Sequence, residues 1–315
     1  MATINQKIQL KQDRHYDLIA VGELLVDMIS KDYSDNFECN TYTRHFGGSP
    51  SNIAINTKKL GLNSIVASSV GEDGFGDFLI SKLNQHGIDT RFINKASYPT
   101  SMVIVTKSKG TPRPIFYRGA DYHIELTKEL EDAVKKSKIL HFSCWPISKR
   151  PSRDVVESLI KTAKENEVLI SFDPNYHPNL FDDEVEGRKY VKEILKHVDI
   201  VKPSLDDAER IFGVDTEENH IKNFLNFGVK LVMLTLGRDG VLVSNGKEYI
   251  KLPSLATEVV DTTGAGDAFW SGFFVGIIKG FTILDAVKSG LKLSAIKLKN
   301  VGAILECLPL DILTF

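Results

Sequence analysis

An α/β fold, with a mainly parallel sheet covered by helices and a smaller β element set apart from it, is what this sequence predicts. Short apolar, β-branched runs alternate with segments of helical period along most of the chain, which is how such sheets read. Two segments, 28–46 and 99–122, interrupt the alternation with polar and aromatic residues, and these form the smaller element. The 315 residues, 42% hydrophobic and 25% charged, suffice for a sizeable core and match ordinary globular composition. No Pro- or Ser-rich linker, low-complexity tract or internal repeat marks a cut, so a single domain over 1–315 is expected.

Taken in order, residues 18–21 form a first strand. Residues 51–60 follow with helical spacing and stop at Gly61, which suits a left-handed C-cap. Residues 64–68 are a strand and 76–85 a helix closed by Gly87, with Phe75, Phe78, Leu79 and Leu83 at roughly helical spacing. Helices are predicted over 128–136, 153–166 and 187–197, and strands over 139–143, 168–173 and 200–201. Residues 230–235 form a buried strand, and 241–250 a hairpin turning on Asn245-Gly246. The apolar run 268–278 is broken by Ser271, Gly272 and Gly276 and reads as a buried helix. No run approaches the roughly 18 apolar residues of a membrane span. Residues 1–16 lack the apolar core of about 7–15 residues found in a signal peptide, so a cytoplasmic location is expected.

Lysine and arginine number 39 against 41 aspartates and glutamates, a formal charge of −2. This gives no electrostatic reason to expect nucleic acid or an anionic membrane as partner. Three cysteines, Cys39, Cys144 and Cys307, are too few and too widely spaced for a disulfide framework or a metal site, and they fit a reducing compartment. Several chemistries lack their motifs: the G-x-x-x-x-G-K-[ST] loop, the H-R-D loop and G-x-S-x-G elbow, the G-x-G-x-x-G turn and H-x-x-x-H spacing.

The most informative stretch is Asp261-Thr262-Thr263-Gly264-Ala265-Gly266-Asp267, which runs into an apolar helix. Two glycines around an alanine let the backbone turn tightly and bare its amides. A helix starting there adds its positive dipole end, and together they make a site for phosphate. Asp267 in the first turn has two readings. One is a carboxylate that merely favours the helix dipole, worth roughly 0.3–1 kcal/mol. The other is a proton acceptor, which a kinase requires for the attacking hydroxyl.

This stretch resembles the C-terminal signature of the ribokinase-like (PfkB) carbohydrate kinases. Gly47-Gly48-Ser49-Pro50-Ser51-Asn52-Ile53-Ala54, followed by Gly61 and Gly71, resembles the N-terminal signature of the same family, and the likeness extends from Asp17 to Leu308. The resemblance implies a three-layer α/β/α fold with a mostly parallel central sheet and a small β-sheet lid, from about 28–46 and 99–122, over the sugar. It implies an ATP- and magnesium-using sugar kinase in which Asp267 is the catalytic base and the amides of Gly264, Ala265 and Gly266 stabilise the transferring phosphoryl. Asp261 and Thr263 stand where potassium-activated relatives hold a monovalent cation, although Asp261 serves equally as a loop cap. Sugar and ATP are the expected partners, with a homodimer through the lid as in many relatives.

On the sugar side, the resemblance assigns Asp27 to sugar hydroxyls, Gly47 and Gly48 to close backbone approach, and Asn52 to mixed donor and acceptor contacts. Read alone, Asp27 is a solvated strand end. Phe116-Tyr117-Arg118-Gly119-Ala120-Asp121 resembles the flap of fructokinases and 2-keto-3-deoxygluconate kinases, in which the arginine reaches a substrate oxygen. Read alone, it is an edge strand with a solvent-facing arginine. Asp173-Pro174-Asn175-Tyr176-His177 resembles the Asp-Pro-Asn-x-Arg segment of those subfamilies, with Asn175 toward the substrate. His177 replaces the arginine, which disfavours a keto acid that gains from a bidentate cation. Fructose is therefore the expected acceptor, ahead of 2-keto-3-deoxygluconate, ribose and nucleosides. A catalytically silent sugar- or nucleotide-binding regulator is the non-enzymatic alternative.

On the nucleotide side, Lys202-Pro203-Ser204-Leu205-Asp206-Asp207 stands where relatives carry an Asn-x-x-Glu motif that organises magnesium through water. Asp207 inherits that role, and helix capping by Ser204 explains the segment equally well. Lys202, with Thr235, Gly237 and Gly240 of the turn 235–240, is expected to meet the nucleotide.

Overall fold

The computed structural model describes residues 3–34, 38–107 and 114–305. Cys307, Pro112 and parts of both inserted segments lie outside the described residues. The main sheet runs in the order Tyr249–Leu252, Val241–Ser244, Leu231–Thr235, Ile200–Val201, Leu169–Asp173, Ser137–Ser143, Tyr16–Val21, Ser64–Gly71, Ile93–Ala96. Pairing is parallel from Ile93–Ala96 across to Leu231–Thr235. The last two strands are antiparallel and close on the hairpin at Gly246.

Strand side chains alternate between two cores, as the period of two requires when both faces are covered. Ile19, Val21, Leu140, Phe142, Val232 and Leu234 enter one core. Leu18, Ile139, Leu231 and Met233 enter the other. The helices Lys128–Lys135, Ser152–Glu165, Glu184–Leu195, Leu205–Phe212 and Glu217–Asn226 cover the first face. Ser49–Lys59, Gly74–Gln85, Ala265–Ile278 and Ile283–Leu298 cover the second. The chain therefore has the expected α/β/α layering.

Sequence periodicity passes over three of these elements. Ile93–Ala96 is a four-residue edge strand, too short to show a period. Glu217–Asn226 carries a Thr216 cap that accepts from Asn219 N at 3.3 Å, a signal present in the sequence. In Ile283–Leu298, Lys288, Lys292 and Lys297 blur the apolar stripe.

A second sheet, in the order Tyr42–Gly47, Leu25–Tyr33, Met102–Lys107, Ile115–Tyr117, stands apart from the first. Its outer pairs are antiparallel and its central pair is parallel. Here the sequence expectation needs correcting. Asp27 is not a solvated strand end: the chain leaves the main sheet at Gly22, and Asp27 is a half-buried inner residue of Leu25–Tyr33, opposite His45 and Val103. The apolar run 18–26 is continuous because both strands are buried, so hydropathy alone hides the break.

The carboxyl ends of the parallel strands fix the position of the site. Glu23 follows Tyr16–Val21, Asp173 ends Leu169–Asp173, and Lys202 follows Ile200–Val201. Open α/β sheets bind ligands at this end. Among the described residues, no helix is long and apolar enough to cross a membrane.

Candidate active site

The helix Ala265–Ile278 begins after Gly264, whose φ is +76°. A Cβ there would sit 2.5 Å from that of Ala303, so both conformation and space require glycine. The set of open amides differs from the expected one by a single member, Asp267 standing in for Ala265. Ala265 N donates to Thr262 O at 3.2 Å, whereas the amides of Gly264, Gly266 and Asp267 have no hydrogen-bond acceptor among the described residues. These three point the positive end of the helix at whatever anion binds there.

A second helix, Ser49–Lys59, starts at the same place. Ser49 Oγ donates to Asp267 Oδ1 at 2.6 Å and Asn52 Nδ2 to Oδ2 at 2.9 Å, linking residues more than two hundred positions apart. The other amide atom, Asn52 Oδ1, is buried without a partner among the described residues. A buried polar atom of this kind calls for a ligand or water donor. Next to it, Gly47 makes room for Asp27, since a Cβ at Gly47 would lie 2.7 Å from the Asp27 carboxyl carbon. Gly48, at φ +114°, backs onto the carbonyl of Glu23.

Three carboxyl groups share this corner, and burial is the main force on each. Burial lifts Glu23 to about 8, against the hydrogen bond it accepts from Ser49 N at 3.1 Å. Asp27 rises to about 7, through burial and then the charge of Asp267. Asp267 rises to about 6, with the Ser49 and Asn52 hydrogen bonds restraining the rise. Sequence reading assigned no role to Glu23 or Ser49. Their available signal is position: an acid inside an apolar run, and a hydroxyl directly after the paired glycines.

Beneath Asp267 lies a buried ion pair. Lys202 Nζ is 3.0 Å from Asp173 Oδ2, with the two side chains 5% and 8% exposed. Trp270 Nε1 donates to the same oxygen at 2.9 Å. Gly266 is the neighbour of this lysine, whose Nζ would be 3.4 Å from a Cβ built there. The positive charge thus underlies the glycine turn and helps to lower the pKa of Asp267.

A cleft of about 570 Å³ opens from Gly266 and Ala265 along Thr235, Gly237 and Gly240, the residues expected on the nucleotide side. Its farther wall comes from Ala256, Val259, Leu291 and Leu298. These carry no sequence signal, because apolar residues lining a cleft look like any others. Lys202 stands under the turn and is absent from the lining of this cleft.

Four further expected residues have surroundings that bear on their reading. Asp207 is the acid of a capping box: Oδ2 accepts from Ser204 N at 2.9 Å and Ser204 Oγ at 2.6 Å, and Oδ1 from Tyr176 N at 2.6 Å. Being one methylene shorter than glutamate, it folds back on its own helix start, which is the capping arrangement. Arg118 is likewise spent internally. It pairs with Asp121, which is fully buried, and also donates to Ser148 Oγ at 2.6 Å and to the carbonyls of Trp145 and Leu180. Trp145 Nε1 and Ser101 Oγ donate to Asp121 as well. The arginine therefore bolts the second sheet to the body and has no donor left for a substrate oxygen. Asn175 is exposed in a left-handed conformation, φ +37°, and His177 beside it packs edge-on to Phe116 at 5.1 Å. Asp261 caps the turn, its oxygens accepting from Thr263 N and Gly302 N at 2.9 Å each.

Comparison with known proteins adds the following. A family model described as pfkB family carbohydrate kinase matches residues 16–310. The chain is 56% identical over 311 residues to the ATP-dependent 6-phosphofructokinase of Thermoanaerobacterium thermosaccharolyticum, covering 99% of this chain and 96% of that protein. The fructokinase structure from Halothermothrix orenii matches with 38% identity and a TM-score of 0.81, over 89% of this chain and 99% of that one. A double-mutant fructokinase from Vibrio cholerae O395, solved with fructose, ADP and potassium ion, matches with 26% identity and a TM-score of 0.81, over 93% and 96%.

Proposed function

The chain belongs to the pfkB family of carbohydrate kinases and is a sugar phosphotransferase, and from that premise we propose that it moves the γ-phosphoryl of ATP to a hydroxymethyl group of a fructofuranose. One observation carries this: the Asp267 carboxylate lies between three open helix-start amides and the Asp27–Asn52 corner. In the proposed reaction the sugar binds against Asp27 and the orphaned Asn52 oxygen. Asp267 takes the proton of the acceptor hydroxyl as its oxygen attacks the γ-phosphorus, and the bond to the ADP oxygen breaks. Charge growing on the transferring group meets the amides of Gly264, Gly266 and Asp267, with Lys202 behind them. A divalent cation enters with the triphosphate as part of the nucleotide substrate. Among the described residues, no group of three or more His, Cys, Asp or Glu gathers to hold a metal of its own.

A fructofuranose carries a hydroxymethyl group at either end, so one pocket can present fructose 6-phosphate or free fructose to the same base. The first acceptor is supported by the full-length relative at 56% identity. The second is favoured by the pairing of Arg118 with Asp121 and by the three crowded carboxyls, which suit neutral hydroxyls better than phosphate. Specificity is the ratio of kcat/KM values. The 56% identity over nearly the whole of both chains outweighs the crowding of the carboxyls, so ADP release measured with fructose 6-phosphate, fructose and 2-keto-3-deoxygluconate should rank fructose 6-phosphate first and the keto acid last. A preference for the keto acid would defeat both fructofuranose readings.

The base role sets the acid limb of the pH profile. Asp267 titrates near 6 and must be ionised to accept a proton. The logarithm of kcat/KM should therefore fall with a slope of about one as pH drops below about 6. A rate that stays level to pH 5, in enzyme shown to be folded there, would remove Asp267 as the base.

A further inference from the structure

We propose that the Lys297 ammonium fills the place a monovalent cation would take beside the 261–267 turn, so that this chain turns over without potassium. This rests on the phosphotransfer reading above and extends it to the activation of the same site.

Lys297 lies in the last turn of Ile283–Leu298 with none of its surface exposed. A lysine is almost never fully buried unless its charge is matched. Its Nζ donates to Asn300 O at 2.7 Å and Asp261 O at 3.2 Å, and lies 4.0 Å from Asp261 Oδ2. Two carbonyls and a carboxylate are acceptors only, so the nitrogen donates to all of them; burial pushes its pKa down from the ordinary lysine value, and the Asp261 carboxylate opposes that push in favour of the ammonium. Carbonyl and carboxylate oxygens are also the donor set a potassium ion takes in place of water. The described residues therefore do not fit a mobile cation here. The oxygens are already engaged, and a second positive charge would face the first across a few ångströms.

The position gives the ammonium consequence. Asp261 carries the turn through Thr263 N, and the segment it clasps through Gly302 N runs on to Ala303, against which Gly264 packs. Lys297 ties the two sides, Asp261 and Asn300, together. It acts on catalysis only through the posture of the Gly264–Asp267 amides, as a positioning residue. Lysine at a helix C-terminus also favours the dipole, but that service needs neither complete burial nor a bond to residue 261.

The test compares sugar-dependent ADP release in potassium chloride and in tetramethylammonium chloride at matched ionic strength. The wild type should run within about twofold in the two salts, whereas Lys297→Ala should lose about tenfold or more in tetramethylammonium and recover with potassium or methylammonium. Absence of turnover by the wild type in either salt would defeat the kinase reading, and this inference with it. Wild-type turnover that rises about tenfold with potassium would leave the kinase reading standing and overturn this one. So would a folded Lys297→Ala that is indifferent to salt, or one whose loss no cation restores. If Lys297→Ala does not fold, the wild-type salt comparison decides alone.

Discussion

Replacing Asp267 with asparagine is expected to lower kcat by about 10²–10⁴-fold and to raise the melting temperature at neutral pH. The two effects have one origin. The carboxylate is half-buried and hydrogen-bonded by Ser49 and Asn52, and burial lifts its pKa from the ordinary 3.8 to about 6. The folded state therefore binds the proton more tightly than the unfolded chain does. The resulting cost to stability is absent below about pH 4, grows with pH and is complete above about 6. Asparagine keeps the shape and the bond from Asn52, carries no charge and accepts no proton. Thermal melts at pH 7 and ADP release at saturating sugar should thus move in opposite directions. A variant that keeps wild-type turnover, or loses it only through unfolding, contradicts the role given to Asp267.

The second large effect concerns stability more than chemistry. Lys202→Met should destabilise the fold by about 3–5 kcal/mol, because it leaves the charge of Asp173 buried with only the Trp270 indole N–H for company. Losing the ammonium also removes a force that lowers the Asp267 pKa. The acid limb of the pH profile should therefore move to higher pH in the protein that remains folded. Urea unfolding measures the first effect and kcat/KM between pH 5 and 8 the second. Unchanged stability together with an unmoved acid limb would show that the ion pair is dispensable.

Much of the site is legible in the sequence wherever the backbone itself is constrained. Gly264 is required by its conformation and by Ala303, and Gly47 by the carboxyl of Asp27. Glycine at such places marks the turn before any fold is known. The alternation of strands and helices is legible for a similar reason, since a sheet covered on both faces demands continuous apolar strands. What stays hidden is made by tertiary contact. Ser49 and Glu23 gain their roles only when the start of one helix meets the start of another from the far end of the chain. Arg118 looks like a substrate ligand until Asp121, Trp145 and Ser148 are seen to consume its donors. The fold of the Asp207 side chain onto Ser204 depends on its being one methylene shorter than glutamate, and only the structure shows Tyr176 N joining it. Lys297 looks like one of a cluster of surface lysines, and its complete burial follows from the loop that ends at Asn300.

A crystal structure with fructose 6-phosphate and a non-hydrolysable ATP analogue tests the central claim most directly. The account predicts an acceptor hydroxyl within about 2.6–3.2 Å of an Asp267 oxygen, with the terminal phosphate over the amides of Gly264, Gly266 and Asp267. A sugar held elsewhere, or a hydroxyl aimed at Asp27 while Asp267 faces empty solvent, would contradict it.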